Sequence, residues 1–360
     1  MRRIGSRTGI GAAVALVGLV TASGAVAKPL TKTVYAGPPP VINQVAAKYL
    51  PKSFSKAYNP DINAFFNKKT TVNVGDSVSF QLLGFHTIDF PGKAAGALPL
   101  IVAGKTATGV NDAAGNPFWF SGKVPNVGIN PQLFAGSKAK TYDGSRRWDS
   151  GAPLGKPHPF KLTFTKAGTY KYFCDIHPGM IGTVVVKPAG ASIPTAKRDA
   201  AATVAQATAD VKAAARIVKA KQPRNTVSLG QSTPGGVELF TMFPASLTVQ
   251  AGTVVTFRMS RNTFETHTAT FGPTSVLKKL AKGFAGTSFL AQGVYPSDPP
   301  GTITESPTAH GDGFANVGAL DNDAKTAQIP SSGKIDFSTP GTYHFVCLIH
   351  PFMQGTIIVK

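Results

Sequence analysis

Apolar and polar side chains alternate along several short segments of the chain, which is typical of β-strands with one buried face. In residues 170–174, a period of two places Tyr170, Tyr172 and Cys174 on the same face. The segment 343–347 repeats this pattern with two aromatic residues and a cysteine. The aromatic faces predict strands that point into a core and carry each cysteine at their inner end.

A different pattern occupies residues 194–223, where alanines alternate with Lys, Arg, Asp and Gln and no glycine interrupts them. This composition strongly favours an α-helix. One apolar stripe recurs at spacings of three and four: Val204, Ala207, Val211, Ala214 and Val218. We expect a linker helix that packs on one of the flanking domains.

The strand patterns belong to an internal repeat. Residues 161–187 align without a gap with residues 334–360, and 14 of the 27 positions are identical. Residues 71–80 resemble residues 247–257 more loosely, and both read as two strand segments joined at a glycine turn. The sequence therefore predicts an all-β fold of two tandem β-sandwich domains, 28–188 and 225–360, joined by an Ala-rich helical linker at 189–224.

Two long segments, 91–156 and 272–333, interrupt the copies. They are rich in Gly, Pro and Asn, so we expect decorated loops with one or two strands or short helices. Residues 277–281 are a candidate helical turn within the second segment.

The composition, with 38 Gly, 28 Pro and 23 Phe, agrees with a turn-rich β protein. Residues 1–27 read as a signal peptide, because a basic start precedes a short apolar run and the small residues Ala25-Val26-Ala27. The apolar run is too short to span a bilayer. We therefore expect an exported protein, secreted or in the periplasmic or cell-wall space, that is soluble after the signal peptide is cleaved.

The chain has only two cysteines, Cys174 and Cys347, and each is followed at +3 by a histidine and at +6 by a methionine. These residues are His177 and Met180 in the first copy, and His350 and Met353 in the second. Thiolate, imidazole and thioether donors together select copper. A disulfide between the cysteines is the alternative for an exported protein, but it would leave the matched His and Met residues unexplained.

A fourth ligand has a candidate in each copy. His86 and His267 follow the 71–80 and 247–257 segments in similar local contexts. Two histidines, one cysteine and one distant methionine are the ligand set of a type 1, or blue, copper site. The sequence thus predicts two mononuclear copper sites per chain.

With these residues, the chain resembles a tandem pair of cupredoxin domains, similar to plastocyanin and especially to amicyanin. The resemblance rests on the short Cys-x-x-His-Pro-x-Met loop, which both copies match in full. It implies Greek-key β-sandwiches with copper near one end, and one-electron transfer. It also implies that His86 and His267 are buried ligands, that His177 and His350 expose a ring edge as the electron port, and that Met180 and Met353 are weak axial ligands.

Two other functions compete with an electron carrier. Copper storage, delivery or cell-surface binding would use the same ligands. A two-domain copper oxidase or nitrite reductase would need a further histidine beside a ligand cysteine, and neither cysteine has one. Of the remaining histidines, we expect His158 and His310 at the surface of loops and His344 on a solvent-facing strand side. Catalysis is therefore not expected.

The net charge of +20 bears on partners. A basic surface favours acidic redox partner proteins and anionic cell-wall or membrane surfaces. We expect no nucleic-acid binding, because the exported chain has no motif that interleaves aromatic and basic residues.

Overall fold

The computed structural model describes residues 28–94, 96–156, 158–322 and 329–360. The predicted signal peptide at 1–27 lies outside them. Within the described residues, none of the helices combines the length and the apolarity needed to cross a lipid bilayer.

Strands dominate the structure. Those before the long helix are, in chain order, β1 (Thr31–Ala36), β2 (Pro60–Ile62), β3 (Phe65–Phe66), β4 (Lys69–Asn73), β5 (Ser77–Leu82), β6 (Asp89–Phe90), β7 (Ile101–Thr106), β8 (Pro125–Ile129), β9 (Thr141–Tyr142), β10 (Trp148–Asp149), β11 (Phe160–Phe164), β12 (Gly168–Phe173) and β13 (Ile181–Lys187). Those after it are β14 (Thr226–Ser232), β15 (Val237–Phe243), β16 (Ser246–Val249), β17 (Thr253–Met259), β18 (His267–Phe271), β19 (Thr302–Glu305), β20 (Ala315–Leu320), β21 (Ser332–Phe337), β22 (Gly341–Val346) and β23 (Gln354–Val359).

These strands form two β-sandwiches. The first sandwich consists of the sheets β3-β1-β5-β11-β9 and β10-β6-β12-β13-β4. The second sandwich consists of the sheets β19-β21-β17-β14-β15-β2 and β16-β23-β22-β18-β20. Each sandwich encloses its own apolar core, and the predicted all-β fold of two sandwiches with a helix between them is confirmed.

The repeat is visible in the strand pairing. β1 runs parallel to β5, and β14 runs parallel to β17 in the same way. β12 and β13 form an antiparallel pair that β22 and β23 reproduce. The alternation predicted before each cysteine is correct, since Tyr172, Cys174, Phe345 and Cys347 are all buried.

The helices are α1 (Ile42–Tyr49), α2 (Phe54–Tyr58), α3 (Ala196–Ile217), α4 (Thr274–Gly283) and α5 (Ala291–Val294), with short 3₁₀ turns at Pro131–Phe134 and Ala309–Gly311. The predicted linker helix is α3. Thr195 caps it, because its hydroxyl accepts a hydrogen bond from the Arg198 amide.

The expectation that α3 packs on one domain is wrong. Its buried stripe (Ala207, Val211 and Ala214) shares one apolar cluster with residues from both sandwiches. Val204, at one end of the predicted stripe, is exposed. β2 also crosses between the sandwiches: Pro60–Ile62 pairs antiparallel with 237–239 of β15. The second sandwich therefore contains a strand from the first copy.

The two long segments also have more structure than expected. β7 and β8 form a hairpin in the first segment, while the second contains α4, α5, β19 and β20. The two segments share an apolar cluster that includes Phe118, Phe120, Phe289 and Tyr295. Backbone bonds join them too, since Phe289 N–H donates to Val127 O at 2.9 Å. These segments hold the two sandwiches together.

Candidate metal centres

Each candidate centre is built on a closed loop between two paired strands. After β12, the Cys174 amide donates to Met180 O at 3.0 Å, and the Met180 amide donates to His177 O at 3.0 Å. The second loop makes the same two bonds, at 2.9 Å and 2.8 Å, between Cys347, Met353 and His350. Because the strands fix the ends of each loop and these bonds close it, the backbone determines where the cysteine, histidine and methionine of the loop lie.

The first centre brings together His86, Cys174 and His177. The Nδ1 atoms of the two histidines are 3.1 Å apart. Cys174 Sγ lies 3.9 Å from His86 Nδ1 and 3.5 Å from His177 Nδ1. All three residues are buried, and His86 comes from the segment between β5 and β6.

The second centre repeats this triangle with His267, Cys347 and His350. The Nδ1 atoms are again 3.1 Å apart. Cys347 Sγ lies 3.7 Å from His267 Nδ1 and 3.8 Å from His350 Nδ1.

Each of the two donor triangles has the size needed to hold one metal ion. Donors that bind at roughly 2.0–2.3 Å from a shared centre are separated by distances of this size. The predicted axial residues Met180 and Met353 are buried in the same clusters as the cysteines. A soft thiolate with two imidazoles suits copper, and the buried methionine of each loop adds a thioether to the same core.

Two threonines belong to the surroundings of the centres and were not identified from the sequence. The amides of Thr87 and Thr268 each lie 3.4 Å from the cysteine sulfur of their own centre. Their hydroxyls accept hydrogen bonds from the residue after the cysteine, at 2.8 Å from the Asp175 amide and 2.8 Å from the Leu348 amide. The sequence did contain a signal for them, because a threonine directly follows the predicted ligand histidine in each copy.

The two predicted electron ports differ in exposure. His177 is buried, and His350 is partly buried. Both rings face Glu265 of the second sandwich: His177 Nε2 lies 3.2 Å from one carboxylate oxygen and His350 Nε2 lies 3.9 Å from the other. The expectation of an exposed ring edge is therefore wrong for His177, which is buried against Glu265, whereas the His350 side chain keeps 20% of its surface exposed.

Glu265 is held firmly in this position. Asn63, which comes from the first copy, donates from Nδ2 to Glu265 Oε1 at 2.7 Å. Burial opposes ionisation of the Glu265 carboxyl, but His177, His350 and His267 together outweigh it and lower its pKa to about 2. One carboxylate thus links the two centres.

Without metal, the two centres differ electrostatically. Burial opposes ionisation of Cys174, yet His177 and His86 lower the pKa of its thiol well below the ordinary value. Burial raises the pKa of Cys347. His177 is the histidine nearer to Glu265, which explains why the first centre holds more positive charge beside its sulfur.

A cavity of about 510 Å³ adjoins both centres. Its lining is mostly apolar and includes Phe85, Phe240 and Phe289, while His177, His350 and Glu265 line it as well. Phe352, also in the lining, is 59% exposed and its ring centroid lies 6.0 Å from that of His350. This edge of the cavity is where the second centre comes closest to solvent.

The remaining histidines lie apart from the centres. His158 and His344 are exposed, as expected. His310 is not a simple surface residue, because its ring lies between Asp112 at 3.3 Å and Asp298 at 3.4 Å. The hydrogen bond that the His310 ring donates to Asp298 is the largest cause that raises the pKa of His310, and the negative charges of Asp298 and Asp112 add to it. His310 therefore belongs to the contact between the two long segments.

Residues 104–187 match the family described as copper binding proteins, plastocyanin/azurin family. The matched residues include Cys174, His177 and Met180. Part of the chain is thus similar to the plastocyanin/azurin family of copper-binding proteins, and the expected resemblance to cupredoxins is confirmed.

Solved structures similar to part of the chain are cupredoxins as well. Oxidised plastocyanin from Dryopteris crassirhizoma is 24% identical over 38% of this chain and 99% of its own, with a TM-score of 0.21. A purple cupredoxin from Nitrosopumilus maritimus is 14% identical over 38% and 98%, with a TM-score of 0.20. Reduced auracyanin from Roseiflexus castenholzii is 16% identical over 38% and 94%, with a TM-score of 0.22. The search of curated proteins gave no match.

Proposed function

We propose that the protein binds two copper ions in type 1 sites and carries single electrons. His86, Cys174, His177 and Met180 hold one ion, and His267, Cys347, His350 and Met353 hold the other. The observation that carries this proposal is the duplicated triangle of one sulfur and two Nδ1 atoms, with edges between 3.1 and 3.9 Å.

Bound copper would supply the one-electron couple, and the chain supplies a fixed environment for it. The closed loops hold the donors in place, so little rearrangement accompanies a change of charge. Burial of both sulfurs excludes water, and the amides of Thr87 and Thr268 point at the thiolates. Such outer contacts tune the potential of a metal site.

The position of Glu265 supports electron exchange between the two centres within one chain. Each loop histidine points its Nε2 at the same carboxylate, so the two rings are separated only by that group. An electron entering beside Phe352 would reach His350 first and the first centre through the contact with Glu265.

We also propose an acidic redox partner for this basic chain, and export directed by residues 1–27.

The visible spectrum of the copper-loaded chain 28–360 tests the metal sites. We expect two coppers per chain and an intense thiolate-to-copper absorption. Cys174→Ala and Cys347→Ala should each remove about half of that absorption and one of the two coppers. His158→Ala and His344→Ala, which change exposed histidines, are the controls and should leave it unchanged. A colourless loaded protein would refute type 1 copper.

A further inference from the structure

Three aspartates converge in the interior of the first sandwich, beside the first centre but outside its ligand set. Asp89 on β6 pairs with Asp149 on β10, and Asp175 directly follows Cys174. They are 0%, 4% and 1% exposed, respectively. One carboxylate oxygen from each lies within 4.8 Å of the others.

The partners available to these carboxylates leave two oxygens unsatisfied. Asp175 accepts hydrogen bonds from the Leu98 amide at 2.7 Å and from the Thr87 hydroxyl at 3.1 Å. Asp149 Oδ1 accepts from the Gly151 amide at 2.8 Å, and Asp89 Oδ2 pairs with Arg147. Asp89 Oδ1 and Asp149 Oδ2 are buried and have no hydrogen-bond partner among the described residues.

The charge of the cluster is also unbalanced. Arg147 is the cation paired with it, against three carboxyl groups. Burial raises the pKa of Asp89 to about 7 and that of Asp149 to about 8, and the neighbouring Asp175 adds to both shifts. Near neutral pH, Asp89 and Asp149 are therefore partly protonated unless a cation replaces those protons.

The second sandwich shows that the fold does not require acidic residues at these places. The strand pair equivalent to Asp89 and Asp149 is Thr270 and Asn316. The Thr270 hydroxyl donates to Asn316 Oδ1 at 2.8 Å, and the position after the cysteine is the buried Leu348. The same framework is therefore neutral in one copy and carries three carboxyl groups in the other.

We propose that Asp89, Asp149 and Asp175 form a binding site for a hard divalent cation, Ca²⁺, in the first sandwich. Carboxylate oxygens are the ligands that Ca²⁺ prefers, at roughly 2.3–2.6 Å, so ligands on opposite sides of one ion are separated by about 5 Å. The cation takes the place of the protons that these carboxyl groups otherwise hold, and the two unpartnered oxygens are available to bind it. Ca²⁺ fits better than Mg²⁺, because Mg²⁺ usually keeps several waters and these carboxylates are buried.

Such a site bears on the adjacent centre. Asp175 accepts from the Thr87 hydroxyl, and the Thr87 amide lies 3.4 Å from Cys174 Sγ. A bound cation fixes Asp175 and, through it, the group that faces the thiolate. The second centre has no equivalent, because Leu348 takes the place of Asp175.

Calorimetric titration of the chelator-treated full chain with Ca²⁺ tests the proposal. We expect one Ca²⁺ per chain, and a decrease in affinity of at least about tenfold in Asp149→Asn, because Ca²⁺ affinity depends on the number of charged ligands. Asp143→Asn makes the same chemical change at an exposed aspartate and should leave the affinity unchanged. Absence of Ca²⁺ binding at millimolar concentration would overturn the proposal and indicate that the carboxyl groups share protons instead.

A second variant separates loss of the site from loss of the fold. Asp89→Thr, Asp149→Asn and Asp175→Leu together give the first sandwich the residues found in the second. We expect this variant to be folded by circular dichroism and to bind no Ca²⁺, whereas unchanged Ca²⁺ binding would refute the assignment. The measurement does not involve copper, so it is independent of the function proposed above.

Discussion

Replacing Glu265 with glutamine tests the contact on which the arrangement of the two centres depends. The pKa of Glu265 is lowered from 4.5 to about 2. At 1.36 kcal/mol per pKa unit, the ionised form stabilises the folded, metal-free protein by about 3 kcal/mol. Because the folded-state pKa is below the unfolded one, this stabilisation is complete above pH 4.5 and is lost as the pH falls toward 2.

The assay is urea unfolding of metal-free wild type and Glu265→Gln between pH 7 and pH 3.5. We expect the variant to be less stable by about 3 kcal/mol at pH 7, and the difference to decrease below pH 4.5. The carboxylate presents one oxygen to each histidine, whereas glutamine has no negative charge and presents an NH2 donor in place of one of those oxygens. A difference that does not change with pH would refute the electrostatic explanation.

Glu305→Gln is the matched control, because Glu305 is also buried but burial raises its pKa to about 8. Since the folded-state pKa is above the unfolded one, ionisation of Glu305 destabilises the protein as the pH rises from 4.5 toward 8. We therefore expect Glu305→Gln to be at least as stable as the wild type at pH 7, opposite to Glu265→Gln.

Two further substitutions test packing around the first centre. Tyr172→Phe should raise the free energy of unfolding in urea by about 1 kcal/mol, because the buried Tyr172 hydroxyl has no hydrogen-bond partner among the described residues. The second copy has Phe345 at the equivalent position. A loss of stability would show that the hydroxyl is hydrogen-bonded. Gly179→Ala should lower the free energy of unfolding for two reasons. The φ of +106° disfavours alanine by about 1–2 kcal/mol, and the clash of the new Cβ with the Phe264 ring adds about 1–3 kcal/mol. Gly190→Ala is the control, because Gly190 has a φ of +76° but nothing lies near the new Cβ, so only the backbone contribution should be lost. Equal decreases in unfolding free energy in both variants would contradict the contact with Phe264.

The sequence was most informative where short-range pattern and repetition coincide. The alternation around Tyr172 and Phe345 identified the inward faces, and the second copy supplied a check on every proposed ligand. The two triangles of donors follow from residues that the sequence already singled out. Local strand geometry explains this success, because a period of two places the cysteine on the same face as the aromatic residues.

The contact between the sandwiches could not be predicted in the same way. β2 is only three residues long and begins with Pro60, so it has no alternation to read. Glu265 lies two residues before His267, but its role depends on His177 and Asn63, which come from the other copy. An exposed ring edge was expected at His177 because this residue lies in a loop, beside Pro178, and nothing in the sequence indicated that Glu265 would cover it.

The crossing of β2 has a consequence for the order of folding. Pro60–Ile62 pairs with β15, which the ribosome synthesises about 175 residues later. The first copy therefore cannot complete its contacts while it emerges from the ribosome. The apolar residues Ile62, Ala64 and Phe66 can be buried only after α3 and β15 have been synthesised. Contacts of such long sequence separation slow folding. We expect the final docking of the two sandwiches, rather than the formation of either one, to be the late step that assembles the surroundings of both centres.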